Sequence, residues 1–271
     1  MTRLDTKIAL ITGAARGTGA ETARLFVERG ARVLLTDVLD ERGAKLAAEL
    51  GEHAAYRRLD VREPADWAAA VEETRARFGA PNVLVNNAAI LIVAAIDETP
   101  PERAREIFDV NLLGPLLGIQ AVLPGMRASG GGSIVNVASI DALEGEVGVA
   151  AYGASKWGLR GLTKCAGLEL AHLGIRVNTV CPAGGGKEMS APWYAKLAEE
   201  IKSGKRKLDL SGNPKQPLGR ELTLREIALA IAWLASDESS FCNAMDLAVD
   251  GGFTAGHIFP GAPRPERAER G

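Results

Sequence analysis

Two side chains four positions apart, Tyr152 and Lys156 in the stretch AAYGASKWG (150–158), are of types that can do acid–base chemistry together. A phenol with a pKa of about 10 is a poor proton carrier at neutral pH. A nearby ammonium stabilises the tyrosinate and draws the phenol toward working pH, where it can protonate a carbonyl or deprotonate an alcohol. The i, i+4 spacing sets both groups on one face of a helix, so both can meet the same bound molecule. Ser139 closes the strand-like run GSIVNVAS (132–139) just upstream. At the carboxyl end of a strand in an open parallel sheet, it would project into the crevice where such sheets bind ligands.

A second set of residues has the chemistry of phosphate and ribose binding. TGAARGTG (12–19) carries Gly13, Gly17, Thr18 and Gly19 between a strand-like run and a helical pattern. Glycines permit the tight turn and let backbone N–H groups approach a pyrophosphate at a helix N-terminus, where the dipole favours negative charge. Gly17 and Gly19 fit the common dinucleotide fingerprint, and Thr22 stands where its last glycine would be. Asp37, about 20 residues on, ends the second strand, where a carboxylate accepts hydrogen bonds from a ribose 2′-hydroxyl and repels a 2′-phosphate. That pattern favours NAD over NADP. Arg16 has two readings, as a pyrophosphate-facing or solvated charge, or as a partner for a 2′-phosphate. Asp60 and Val61 in LDV fall at the rim where an adenine would lie. Of Asn86 and Asn87, one is expected to tie neighbouring strands together and the other, Asn87, to face the ligand crevice.

The elements that must hold these residues alternate regularly. Strands are expected at 7–12, 32–37, 54–60, 82–87, 132–139, 175–182 and 245–249, and helices at 17–29, 40–50, 64–78, 101–128, 152–172 and 223–236. Continuous apolar strands alternating with helices imply parallel strands covered on both faces. Right-handed crossovers then give an α/β, Rossmann-like doubly wound sheet of about seven strands. No linker or composition shift divides residues 1–271, which read as a single dinucleotide-binding catalytic domain. Two segments break the rhythm: 183–220, glycine-rich at first and basic at KSGKRK (202–207), read as a substrate loop or lid, and the proline-rich, charged tail 260–271.

The whole-chain properties narrow the function classes. The 271 residues are 46% hydrophobic and 24% charged, as in a soluble globular protein, and the formal net charge of −2 offers no electrostatic reason for a nucleic-acid or anionic-membrane partner. No run of about 18 apolar residues suggests a membrane span, and the polar start lacks a signal-peptide pattern, so a cytoplasmic location is expected. Cys165, Cys181 and Cys242 are too few and too widely spaced for a disulfide framework or a zinc site, and His53, His172 and His257 are isolated, so no metal is expected.

Taken together, TGAARGTG, NNAA, VNLLG, NVAS, YGASK, WLASDESS and VDGG resemble the short-chain dehydrogenase/reductase family over almost the whole chain. That resemblance implies Tyr152 as general acid/base, Lys156 as the residue that lowers its pKa and binds the nicotinamide ribose, and Ser139 as the hydrogen-bond partner of the reacting oxygen. It gives Asn111, in DVNLLG, a water in the proton relay behind the lysine. It also implies a homotetramer, or less often a dimer. The sequence departs from the family pattern at Ala89, where glycine is usual, and more deeply in CPAGGGKEM (181–189). There Ala183 replaces a glycine and Lys187 stands near a threonine that grips the nicotinamide carboxamide, which leaves the backbone of Gly184 to Gly186, Gly185 foremost, as one substitute and a rearranged mobile loop as the other.

Within the family, LDERGAKLAAEL, RGLTKCAGLELAHLGIRVN and LASDESSFCNAMDLAVDGGFTAG are similar to bacterial 3α,20β-hydroxysteroid dehydrogenases. The expected substrate is therefore a steroid or another bulky, apolar cyclic secondary alcohol or its ketone. A 3-oxoacyl thioester, sugar or terpenoid ketone is the alternative, with Glu144 and Glu146 near the pocket mouth disfavouring anions. A non-catalytic dinucleotide-binding regulator is a third reading, opposed by the complete Asn111, Ser139, Tyr152 and Lys156 set.

Overall fold

The computed structural model describes residues 2–184, 186–203 and 217–257. Gly185, most of the basic stretch and the 260–271 tail lie outside the described residues. Seven strands, β1 (Ile8–Thr12), β2 (Arg32–Asp37), β3 (Ala54–Arg58), β4 (Val83–Asn86), β5 (Gly132–Val137), β6 (Ile175–Pro182) and β7 (Asp246–Val249), form one sheet in the order β3-β2-β1-β4-β5-β6-β7. Every pairing is parallel. The order reverses between β1 and β4, which opens a crevice at the carboxyl ends of the strands.

The helices are α1 (Gly17–Glu28), α2 (Asp40–Leu50), α3 (Pro64–Phe78), α4 (Pro101–Phe108), α5 (Gly114–Ala128), α6 (Ala150–Leu170), α7 (Lys187–Lys202) and α8 (Leu224–Ala235). Alternate residues of each strand point to opposite faces, and in this sheet both sets are apolar. Ala9, Ile11, Val33, Leu35, Val83 and Val85 meet Leu25 and Phe26 of α1, Leu46 of α2, and Ile227, Ile231 and Leu234 of α8. Leu10, Leu34, Leu84 and Ile134 meet Trp67 of α3, Ile119, Val122 and Met126 of α5, and Leu170 of α6 on the other side. This two-sided burial is why the strands read as unbroken hydrophobic runs. Beneath the crevice a buried polar chain fixes α6 to the sheet: Asn86 Nδ2 donates to Asn136 Oδ1 (2.8 Å), and Asn136 Nδ2 to Thr163 Oγ1 (2.8 Å). Thr179 Oγ1 also donates to Thr163 Oγ1, at 2.9 Å. Losing one member would strand the others without partners at about 1–3 kcal/mol each.

Two elements differ from expectation. The stretch read as one helix over 101–128 is broken by a π-helical turn, Asp109–Leu113, and such turns occur mostly where a site distorts a helix. By length and composition the run Pro101–Ala128 is apolar enough to cross a bilayer, with mean hydropathy 1.5 over 18 residues, contrary to the absence of such a run expected above; here it packs on β4, β5, α3 and α6. The 183–220 connection contains α7, a helix hidden by the three glycines before it.

Candidate active site

The glycine loop is built by close approach. Gly13 and Gly17 have φ of +62° and +55°, the left-handed region that glycine enters without penalty. A methyl group at Gly19 would lie 2.2 Å from the Gly13 carbonyl oxygen, and one at Gly13 would lie 2.8 Å from Ala88 Cα. The start of the loop is tied to the residues that follow β4. Thr12 Oγ1 accepts the N–H groups of Asn87 and Ala88 (both 3.0 Å), while Asn87 Nδ2 donates to the Thr12 and Gly13 carbonyls (2.9 and 3.0 Å). Asn86 ties strands, as expected of one of the pair, and Asn87 serves the crevice by shaping this loop. Thr18 is buried in the first turn of α1, which begins without a side-chain cap or an acidic residue. Its N-terminal amides thus suit an anion.

Asp37 sits buried at the end of β2. One carboxylate oxygen accepts the Ala15 N–H (2.9 Å), and the other accepts those of Val38 and Leu39 (2.8 and 3.1 Å). Three of roughly four acceptor positions are filled, leaving room for one hydroxyl donor. Arg16 and Arg42 converge nearby on Glu188 of α7, at 3.3 and 2.8 Å. Val61 is buried at the β3 rim. The Asp60 carboxylate beside it is taken by Arg62, 2.5 Å away, which holds it below the usual carboxylate range.

Across the crevice, Ser139, Tyr152 and Lys156 come together as their spacing predicted. All three are at least nine-tenths buried. Lys156 Nζ donates to the Val137 carbonyl (2.9 Å) and lies 5.5 Å from the centre of the Tyr152 ring. Burial lowers the ammonium to about 8. Burial also raises the phenol well above its ordinary value, and Asp141 adds to the rise, with Ser139 within hydrogen-bonding reach opposing it. Desolvation leads this rise and keeps Tyr152 protonated. Asn111 lies in the π turn, wholly buried: Oδ1 accepts the Ile90 N–H (2.9 Å), and Nδ2 donates to the Ile90 carbonyl (3.0 Å) and to Ser155 Oγ (3.1 Å). Its amide clamps the β4 exit against α6.

A family model described as enoyl-(acyl carrier protein) reductase matches residues 13–254. The chain belongs to the short-chain dehydrogenase/reductase family. It is 42% identical over 254 residues to a 3-alpha-(or 20-beta)-hydroxysteroid dehydrogenase of Mycobacterium tuberculosis, covering 94% of this chain and 92% of that protein. Trans-4-hydroxycyclohexanecarboxylate dehydrogenase of Sinomonas cyclohexanicum is 39% identical over 264 residues, covering 94% and 95%. The crystal structure of a gluconate 5-dehydrogenase from Burkholderia cenocepacia, in complex with NADP and tartrate, superposes with a TM-score of 0.83 at 34% identity, covering 94% of this chain and 98% of that one.

The glycine turn is so close-packed against its own backbone, Asn87 and Ala88 at Gly13 and Gly19 that a side chain would displace it. The 183–189 departure is partly described. Ala183 N–H donates to the Val249 carbonyl (3.1 Å), and Gly186, with φ of +99°, comes beside Gly17. Gly185 lies outside the described residues. On α7, Trp193 is half-buried and meets the exposed Tyr194 edge-on, ring centres 4.8 Å apart. Sequence reasoning missed Asp141 and Glu188. Asp141 follows Ser139 by two positions, a spacing with no periodicity to mark it, and Glu188 meets its arginines only across the fold.

Proposed function

We propose that this chain is an NAD-dependent dehydrogenase that interconverts a bulky, apolar cyclic secondary alcohol, foremost a hydroxysteroid, with its ketone. The observation that carries the reading is the convergence of Ser139, Tyr152 and Lys156 at the carboxyl ends of β5 and α6's first turns, facing the glycine loop across the crevice. Gly13, Gly17, Gly19 and the α1 amides would hold the pyrophosphate, and Asp37 the adenosine ribose, with Val61 beside the adenine. When bound, the nicotinamide supplies the hydride acceptor. Tyr152 takes the carbinol proton in oxidation and returns it in reduction, and Lys156 holds a positive charge behind it. Ser139 binds the same oxygen. The π-helical turn that carries Asn111 is where the family resemblance implies the relay water.

The support for NAD is the buried Asp37 carboxylate, which a 2′-phosphate would have to approach. The support for the substrate class is the likeness to hydroxysteroid and cyclic-alcohol dehydrogenases. A homotetramer belongs to the same reading: Phe108 and Leu113 of the 101–128 run and Trp157 and Leu168 of α6 are exposed apolar groups on the two long helices. Light scattering of the purified chain tests it, and a monomer would refute it.

The decisive assay follows NADH formation across 3-, 17- and 20-hydroxysteroids and simple cyclohexanols. Turnover with NAD is expected to exceed that with NADP about tenfold or more, and Tyr152→Phe is expected to lower kcat by about 10²-fold or more. Turnover confined to small alcohols would overturn the steroid assignment. Unchanged turnover in Tyr152→Phe would overturn the acid–base role.

A further inference from the structure

Ser139 does not wait free for a substrate. Its Oγ donates to Asp141 Oδ2 (2.9 Å) and accepts the Asp141 backbone N–H (3.2 Å), so its hydroxyl proton points toward a carboxylate. Asp141 is itself more than nine-tenths buried, and its other oxygen, Oδ1, has no donor. The Glu146 carboxyl reaches Asp141 from the loop that follows. Two ionised carboxylates repel, whereas a protonated Glu146 gives Asp141 the donor it lacks.

We propose that Asp141 is a positioning residue for the reaction, holding the Ser139 hydroxyl proton through the hydrogen bond between them. The inference rests on the dehydrogenase reading above. Its consequence is directional. With its proton on Asp141, Ser139 meets the reacting oxygen as an acceptor, which suits a carbinol hydroxyl, and a ketone must first win that proton back. The charged groups around Asp141 do not cancel it. From α6 come Tyr152, Lys156 and Arg160. Lys156 is tied to the Val137 carbonyl, while Arg160 bonds the Ala142 carbonyl and pairs with Asp246 of β7. Cys181 of β6 carries a thiol pushed up to about 12 by burial, hence neutral, and Glu144 adds negative charge. Glu146 is an exposed residue, yet desolvation and then the bond to Asp141 lift its carboxyl to about 7.

The experiment compares the full-length protein with Asp141→Asn and Glu146→Gln, using cyclohexanol or an accepted steroid with NAD from pH 5.5 to 10. Asp141→Asn is expected to move the acid limb of kcat/KM for alcohol oxidation down by about one pH unit or more. Its KM for the ketone should fall, because an amide can donate to Ser139 and free the hydroxyl proton. Glu146→Gln is expected to remove an inflection near pH 7 and leave the limb otherwise in place. In parallel, the chain's three tyrosines, labelled at ¹³Cζ and assigned with Tyr152→Phe, are titrated by NMR. Tyr152 should ionise at lower pH in Asp141→Asn. A uniform loss of rate with unshifted limbs and an unshifted Tyr152 would overturn the proposal. Absence of Tyr152-dependent turnover in the parent would sink the dehydrogenase reading instead, and the NMR titration would still decide whether Asp141 controls Tyr152. Should Asp141→Asn fold poorly, Glu146→Gln, altered only in an exposed loop, still tests the step near pH 7.

Discussion

The glycine loop 12–19 and the segment 183–203 meet at Gly17 and Gly186, yet they are held by different physics. The loop is locked by contacts too close to admit a methyl group and by four hydrogen bonds to residues 87 and 88. The 183–203 segment is anchored to β7 at Ala183, and its helix reaches the cofactor side of the crevice through Glu188, whose pairs with Arg16 and Arg42 are all largely exposed. Exposed pairs of this kind contribute about 0–1 kcal/mol. The contrast teaches that this fold fixes the glycine loop by close packing and holds the 183–203 segment by contacts that can be exchanged.

The largest test of that contrast is Gly19→Ala. With the new methyl placed against the Gly13 carbonyl, the turn must open, at a cost of about 1–3 kcal/mol or more. Thermal unfolding should show the loss, and NADH fluorescence titration should show no binding at concentrations that saturate the parent. A variant that binds normally would mean the loop is as pliable as the lid.

Next in size is Lys156→Met, which separates catalysis from stability at the wall between the two regions. Turnover should fall by orders of magnitude. The stability effect has a calculable sign: the folded lysine titrates near 8, below the unfolded value of about 10.4, so between these values the unfolded chain binds more protons. The parent therefore gains stability as pH rises through that window and is most burdened by the buried ammonium at and below pH 8. The Tm of Lys156→Met minus that of the parent should decline from pH 7 to pH 10. A difference flat with pH would show that the ammonium is better solvated than its burial implies.

The smallest expected change is Glu188→Gln. Tm should move by less than the equivalent of about 0.5 kcal/mol. Because Arg16 and Arg42 are then unpaired beside the ribose site, the NADP to NAD ratio of kcat/KM should rise severalfold. A large Tm change would make the lid a structural element on a par with the glycine loop.

The same contrast explains what the sequence made legible. The doubly wound sheet, its strand limits to within a residue or two, and the Ser139, Tyr152 and Lys156 cluster were readable because apolar period, glycine spacing and i, i+4 geometry are local signals. Helix α7 was not, since three glycines mask its start, although Met189, Trp193, Leu197 and Ile201 recur along it at i, i+4. The upward push on the Tyr152 phenol was likewise hidden: the i, i+4 lysine is visible in sequence, whereas burial and the Asp141 charge emerge only when β5, α6 and the loop between them pack. Asn87 lay between these cases. Its place at the strand end was readable, but its two bonds to the Thr12 and Gly13 carbonyls depend on the β1–β4 neighbourhood.

All seven strands run in one direction, so Gly13, Asp37, Val61, Asn87, Ser139 and Ala183 follow strand ends along a single rim. A segment can therefore be exchanged on the working rim without altering the register of any strand, since each register is set by apolar residues buried deeper in the sheet. Exchanging residues 183–203 for those of a relative is thus a modular operation that leaves the pairing of the seven strands as it is.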